Sequence, residues 1–321
     1  MRAQITSTGL AAPPQVETAE QLAPQIGRTA DWIVHHTGVV RRHIAATPSM
    51  EGLAASAARR ALGDGPPPDL LLNASVTPRQ MIPDSSVFIQ RELALSGVPS
   101  FSVHATCLSF LVGLHNAAAL IAAGAYRRIL LVSSEVGSVS RDFSEPESAA
   151  LIGDGAGAAI IEPTPAGGGS AILGYQMATW HEGAELTELR GGGIRRHPNN
   201  PDTTPEDNRF QMNGPGVYKM ARRRVAVVLK RLLQQADVQL SDIDLVVPHQ
   251  ASGPALNALR FYGFAADRVV NIIAEYGNCI AASLPMALAV AQQEGRLKRG
   301  DTILLLGTGA GLSVGGALLR W

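Results

Sequence analysis

Apolar residues fall in short dense runs separated by Gly- and Pro-rich breaks, and the length of the run changes along the chain. Short apolar runs predict buried strands at Ile5–Leu10, Asp69–Val76, Phe101–Val103, Arg127–Ser134, Ile172–Thr179, Leu245–Gln250, Val269–Ile273 and Thr302–Leu306. Longer Ala- and Leu-rich runs predict helices over Glu17–Ile26, Met50–Leu62, Ser85–Leu95, Gly216–Ala236 and Pro254–Tyr262. Thr29 and Asp31 open a further helix that stops at Gly38. Val39–Ala45 mixes Arg and His with apolar residues and predicts a loop or edge strand. Ala149–Glu162 and Gly307–Trp321 each read as a Gly-rich turn followed by an apolar strand. Gly191–Asn208 is polar and predicts a loop. Strand and helix alternate, so the class is α/β with buried sheets.

One stretch organises the rest. From Phe101 the chain leaves a strand, passes Val103-His-Ala-Thr-Cys107, and enters an uncharged apolar run to Gly124. That run is too rich in Ala and Leu for a strand and too short to span a bilayer, so it predicts a buried helix. Cys107 stands where that helix starts. Free N–H groups and the positive dipole end favour a thiolate there, which lowers the thiol pKa. The plainer reading is a buried structural cysteine.

The second half repeats the first. Asn278–Gly295 is an Ala-rich apolar run of the same length as Cys107–Gly124, and each is followed by a basic pair, a strand and a Gly-rich segment. Pro163–Ser170 is a Pro- and Gly-rich break between the halves, giving units 1–165 and 166–321. A pseudo-two-fold axis would bring Cys107 and Asn278 together at the middle of the molecule.

Composition narrows the partners. The 321 residues carry 27 basic and 27 acidic side chains, which gives no support for a nucleic-acid partner. Two cysteines, Cys107 and Cys279, suggest neither a disulfide scaffold nor a Cys-based metal site. Neither a signal peptide nor an apolar run of membrane length stands out, so a soluble cytoplasmic protein is expected.

A cysteine nucleophile needs a group that handles protons and a donor for the developing oxyanion. His249 follows the strand Leu245–Val247 at its C-terminal end, where α/β sites gather. His35, His36, His181 and His197 read as loop or surface residues, and His115 as a packing residue within the helix. Gly307-Thr-Gly-Ala-Gly311 offers backbone N–H groups to an oxyanion, or is a plain turn. Gly153-Asp-Gly-Ala-Gly157 lacks the full dinucleotide fingerprint and the Walker lysine.

Several ordered motifs together resemble a known family. They are Asp31-Trp-Ile-Val-His-His-Thr-Gly38 with Arg42-His43, Ala105-Thr-Cys107, Ile152-Gly-Asp-Gly-Ala-Gly-Ala158, Val247-Pro-His-Gln-Ala251, Gly277-Asn278 with Ala281-Ala-Ser283, and Gly315-Gly-Ala-Leu-Leu-Arg-Trp321. In this order they resemble β-ketoacyl-ACP synthase III, the initiating condensing enzyme of the thiolase superfamily, through essentially the whole chain. The resemblance implies a duplicated five-layered αβαβα thiolase fold, a homodimer, and a Cys-His-Asn triad on Cys107, His249 and Asn278. It implies an acyl-Cys intermediate condensed with malonyl-ACP, with oxyanion donors at the Cys107 and Ala310 N–H groups. No permanently bound cofactor and no metal are implied. The substrates are thioesters of coenzyme A or of acyl carrier protein (ACP) phosphopantetheine.

The same resemblance assigns Trp32, His36, Asn213 and Tyr218 to coenzyme A, and Met81, Ile82 and Ile152 to the acyl pocket. Met81 and Ile82 would reach across the dimer. Lys219, Arg222, Arg223 and Arg260 would dock the carrier protein, or form a solvated basic face. Three departures bear on the substrates. His36 replaces an arginine beside Trp32, which leaves room for an ACP-borne primer. Pro254 replaces a basic residue, and Ile152 replaces a phenylalanine, which implies a primer longer than acetyl. Two other functions remain open: acyl transfer from Cys107 to an alcohol or amine, and a partner subunit of a heterodimeric synthase.

Overall fold

The computed structural model describes residues 1–47 and 49–321. In the first half, strands β1 (Ala3–Ala11), β2 (Leu70–Asn73), β3 (Ser100–Ser102), β4 (Ile129–Val136) and β5 (Asp154–Pro163) form one sheet in the order β1-β5-β4-β2-β3. In the second, β6 (Ala171–Gly183), β7 (Leu245–Pro248), β8 (Thr302–Gly309) and β9 (Gly311–Arg320) form another in the order β6-β9-β8-β7. The pairing senses match position by position. In each sheet two antiparallel pairs are followed by a parallel one. β2 then pairs with β3 in parallel, and in the second sheet a single parallel bridge, Val246 to Val269, stands at that place.

Both sheets are buried on both faces, and side-chain alternation assigns each residue to a layer. In β4, Ile129 and Leu131 point inward, while Leu130 and Val132 point to the outer helix Met50–Leu62. In β8, Ile303 and Leu305 point inward, while Leu304 and Leu306 meet the outer helix Gly214–Ala236. Between the sheets lie two apolar helices, Ser109–Ala122 and Ser283–Gln293. Their Leu111, Leu114, Leu284 and Leu288 share one core with both sheets. Helix, sheet, helix, sheet, helix make the five layers of the thiolase fold.

Several local expectations change. Gly153–Gly157 is mostly strand rather than turn. A side chain at Gly157 would fall 2.7 Å from the backbone nitrogen of Met286, so this glycine lets the central helix lie directly on β5. Glu17–Ile26 is not one helix. Val16–Thr18 pairs with Arg41–His43, and Pro24 restricts the rest to a short helical turn and a 3₁₀ turn. Val269–Ile273 makes only the bridge at Val269, and Ile273–Tyr276 is a helical turn. The Asn278 run becomes regular helix only at Ser283, after a 3₁₀ turn at Ile280–Ala282. Gly307–Gly309 continues β8, and the turn is confined to Ala310.

Candidate active site

Cys107 lies between β3 and the first central helix. Thr106 before it takes a left-handed φ of 50°, which turns the chain sharply. Ser109 fixes the turn: its hydroxyl donates to the Thr106 carbonyl at 2.6 Å and accepts from the Ala105 N–H at 2.9 Å. Leu108 is the helix N-cap, so Cys107 precedes the helix instead of opening it. The thiol is not acidified at rest. Burial, and then the negative charge of Glu135, push it up to about 12, against the opposing pull of the Cys107 and Ala310 N–H groups. The expected lowering by the helix dipole is therefore outweighed. The Thr106 hydroxyl donates to Ala310 O at 3.5 Å, which ties the turn between β8 and β9 to the residue before Cys107.

His249 follows β7, as expected. Its backbone N–H donates to Leu306 O at 2.8 Å, and its Nδ1 is buried with no hydrogen-bond partner among the described residues. Burial lowers its pKa to about 4, so the ring is neutral at pH 7. Gly307 packs between the two elements. A side chain there would fall 2.9 Å from Leu108 Cδ2 and 3.0 Å from His249 Cβ.

Asn278 is held from both halves. Its N–H donates to Leu151 O at 2.7 Å, and its carbonyl accepts from the Gly153 N–H at 3.1 Å. Its Nδ2 donates to Ala251 O at 3.2 Å, two residues beyond His249, and its Oδ1 accepts from the Ile280 N–H at 2.9 Å. Neighbours link the three residues: Gly307 packs between Leu108 and His249, Thr106 bonds Ala310, and Asn278 bonds Ala251.

An apolar cavity of about 160 Å³ reaches His249. Its walls include Tyr218, Arg222, Leu256, Leu259 and Gly307. Trp32 and His36 do not line it. They stack on each other with ring centroids 4.3 Å apart. Asn213 is exposed outside the cavity and caps the long outer helix, accepting from the Gly216 N–H at 2.9 Å. Ile152 is buried and bridges to Asn278, whereas Met81 and Ile82 are 75% and 84% exposed in the single chain. Lys219, Arg222, Arg223 and Arg260 are all exposed and form no ion pair among the described residues. Arg222 and Arg260 both lie over exposed Phe261, at 5.1 and 5.0 Å.

Sequence reasoning missed Glu135 and the supporting role of Gln250. Glu135 is fully buried and accepts from the Val76 N–H at 2.6 Å, the Thr77 N–H at 3.1 Å and the Thr77 hydroxyl at 2.8 Å. Burial raises its carboxyl to about 7, against the pull of these bonds and of the Ala281 N–H. Gln250 is buried and binds Pro248 O, Val270 O and the Ile272 N–H, bracing the strand end that carries His249. A lone acid in an apolar strand was the available signal for Glu135. Among the described residues no helix is long and apolar enough to cross a membrane.

Comparison with known proteins agrees with this architecture. The family model for 3-Oxoacyl-[acyl-carrier-protein (ACP)] synthase III matches residues 101–180, and the model for its C-terminal part matches residues 233–321. The β-ketoacyl-[acyl-carrier-protein] synthase III of Solibacter usitatus is 33% identical, over 100% of this chain and 99% of that protein. The crystal structure of 3-oxoacyl-[acyl-carrier-protein] synthase III from Aquifex aeolicus superposes with a TM-score of 0.90 at 31% identity, covering 99% of this chain and 100% of that one. The priming β-ketosynthase of the R1128 polyketide biosynthetic pathway gives a TM-score of 0.90 at 26% identity, covering 99% and 96%. With the whole chain matched in sequence and in fold, the protein belongs to the β-ketoacyl-ACP synthase III family of acyl-transferring condensing enzymes.

Proposed function

We propose that this chain joins an acyl primer to malonyl-ACP with loss of CO₂, through an acyl-Cys107 intermediate, at the start of a fatty acid or polyketide. The observation that carries this reading is the placement of a neutral His249 beside Gly307, which packs against Leu108 next to Cys107, with the Asn278 amide bonded to Ala251 O two residues beyond that histidine. Cys107 attacks the primer thioester and expels its thiol. The Cys107 and Ala310 N–H groups hold the tetrahedral oxyanion. Malonyl thioester then enters. Its thioester carbonyl accepts hydrogen bonds from His249 Nε2–H and the Asn278 amide. As the carboxylate leaves as CO₂, its electron pair forms an enolate that these donors stabilise. The enolate carbon attacks the acyl-Cys107 carbonyl, and the thiolate leaves. This role requires the neutral His249 ring to carry its proton on Nε2, and among the described residues no acceptor faces Nδ1 to draw the proton there.

The reading extends to substrate delivery. The cavity past Tyr218 and Arg222 would admit the pantetheine arm, and the exposed cations Lys219, Arg222, Arg223 and Arg260 would meet an acidic carrier protein. Stacking of His36 on Trp32 favours an ACP-borne primer over a coenzyme A ring at that tryptophan. The exposed Met81 and Ile82 support a homodimer in which they reach a partner's acyl pocket. Units 1–165 and 166–321 would be the two duplicated halves of a cytoplasmic enzyme.

The test is intact mass after incubation with acyl-CoA and acyl-ACP panels. The expected result is a mass gain lost in Cys107→Ala and discharged by malonyl-ACP with CO₂ release. A gain that malonyl-ACP does not discharge would point to transfer onto another acceptor, and no gain from any donor to a partner subunit.

A further inference from the structure

We propose that Ile280, set against Gly137, fixes the size of the primer chamber beside Cys107. This rests on the condensing function proposed above. Three residues meet at the end of β4. A side chain on Gly137 would fall 2.7 Å from Ile280 Cδ1 and 2.9 Å from Ile152 Cγ2. Gly137 therefore contributes no side chain, and the branched end of Ile280 fills the space against Ile152. Gly137 and Ile152 are buried, while Ile280 is half-buried. Ile280 Cδ1 thus packs at the Gly137 backbone while part of the residue stays accessible.

The location ties this cluster to the chemistry. Ile152 bridges to Asn278 along the backbone, and the Ile280 N–H donates to Asn278 Oδ1 at 2.9 Å. Glu135 stands two residues before Gly137, and its charge acts on Cys107. An acyl chain on Cys107 would extend toward this corner. The backbone at Ile280 adds a second observation. Its φ of 47° is left-handed, the region that glycine adopts most readily and β-branched residues adopt least. A bulky residue held there against local preference, next to the oxygen of Asn278, marks a functional constraint rather than a folding optimum.

The experiment compares wild type with I280V, I280A and G137A. Cys107 acylation is timed by intact mass over straight-chain primers from acetyl to decanoyl, carried on coenzyme A and on ACP. The readout is the ratio of long-primer to acetyl acylation, which a general loss of stability does not shift. The ratio is expected to rise from wild type to I280V to I280A, by about tenfold at I280A, the scale of one or more methylenes in an apolar pocket. G137A, which drives Ile280 further into the chamber, is expected to lower it. I280V keeps the branched shape and reads the same effect if I280A does not fold. Acylation of every variant with the wild-type ratio would overturn the proposal and leave Ile280 as core filling. Failure of the wild type to accept any primer would instead overturn the condensing function, and this inference with it.

Discussion

Asn278 donates its side-chain amide to the backbone carbonyl of Ala251 at 3.2 Å. Ala251 in turn donates its N–H to the His249 carbonyl at 3.0 Å. The two groups proposed to receive the malonyl thioester are thus joined by a bridge two hydrogen bonds long, so each helps to set the other's position.

If His249 and Asn278 act on the malonyl half-reaction, removing either should spare primer loading. H249A and N278A are expected to form acyl-Cys107 at near the wild-type extent and to lose about 10²–10³-fold in CO₂ release, the scale of a lost oxyanion donor. Intact mass and trapped CO₂, read on the same sample, separate the two steps. Equal losses in both would contradict the assignment.

The resting thiol of Cys107, pushed up to about 12, predicts slow alkylation. Iodoacetamide modification should rise about tenfold per pH unit from pH 7 to 10 without a plateau, because only the thiolate reacts. Replacing Glu135 by Gln removes a charge that is fully present only above pH 7, and should speed alkylation increasingly from pH 7 to 10. A plateau near pH 8 in the wild type would show a thiolate acidified after all.

His249 and Glu135 shape stability against pH with opposite signs. The folded pKa of His249, about 4, lies below its unfolded value near 6.5. Its contribution is present above pH ~6.5 and lost as pH falls toward 4. Glu135, at about 7 when folded, lies above its unfolded value, so its contribution is present below pH ~4.5 and lost as pH rises through 7. H249N should lose less Tm than the wild type between pH 6.5 and 4, and E135Q less between pH 5 and 8. Parallel curves for wild type and both variants would refute this.

Gly157 meets backbone rather than a movable side chain, 2.7 Å from Met286 N. G157A should therefore cost about 1–3 kcal/mol, as overpacking does. For a domain of this size that is a fall of several degrees in Tm. Thermal melts of G157A beside G169A, where a side chain meets nothing within 4 Å, make the comparison. An unchanged Tm for G157A would mean that the central helix can move off β5.

Charge reversal tests the carrier surface. R222E with R260E is expected to raise KM for malonyl-ACP at least several-fold and to leave acylation by acyl-CoA much less affected. The malonyl-ACP effect should shrink with added salt, since exposed charges are screened. Equal effects on both substrates would place these arginines at the pantetheine channel rather than at the carrier protein.

The order of elements, the α/β class and the position of His249 at a strand end were legible from the chain because they depend on local pattern. Apolar run length separates Leu245–Val247 from the central helices, and caps such as Thr29 and Gly38 act within one turn. The repeat that placed Cys107 and Asn278 at equivalent points was also a property of spacing. Where local signals mislead, the cause is a contact distant in sequence. Gly153–Gly157 looked like a turn because two of its glycines, Gly155 and Gly157, serve a helix more than a hundred residues away, at Pro285 and Met286. The state of Cys107 was likewise beyond the sequence. A helix start favours thiolate, but burial and the charge of Glu135, brought in from β4, outweigh it. The sequence by itself determined the family, the α/β class and the residues proposed for the chemistry. Only the tertiary structure decided their protonation states and what stands around them, because desolvation and close packing depend on segments that meet only when both halves have folded.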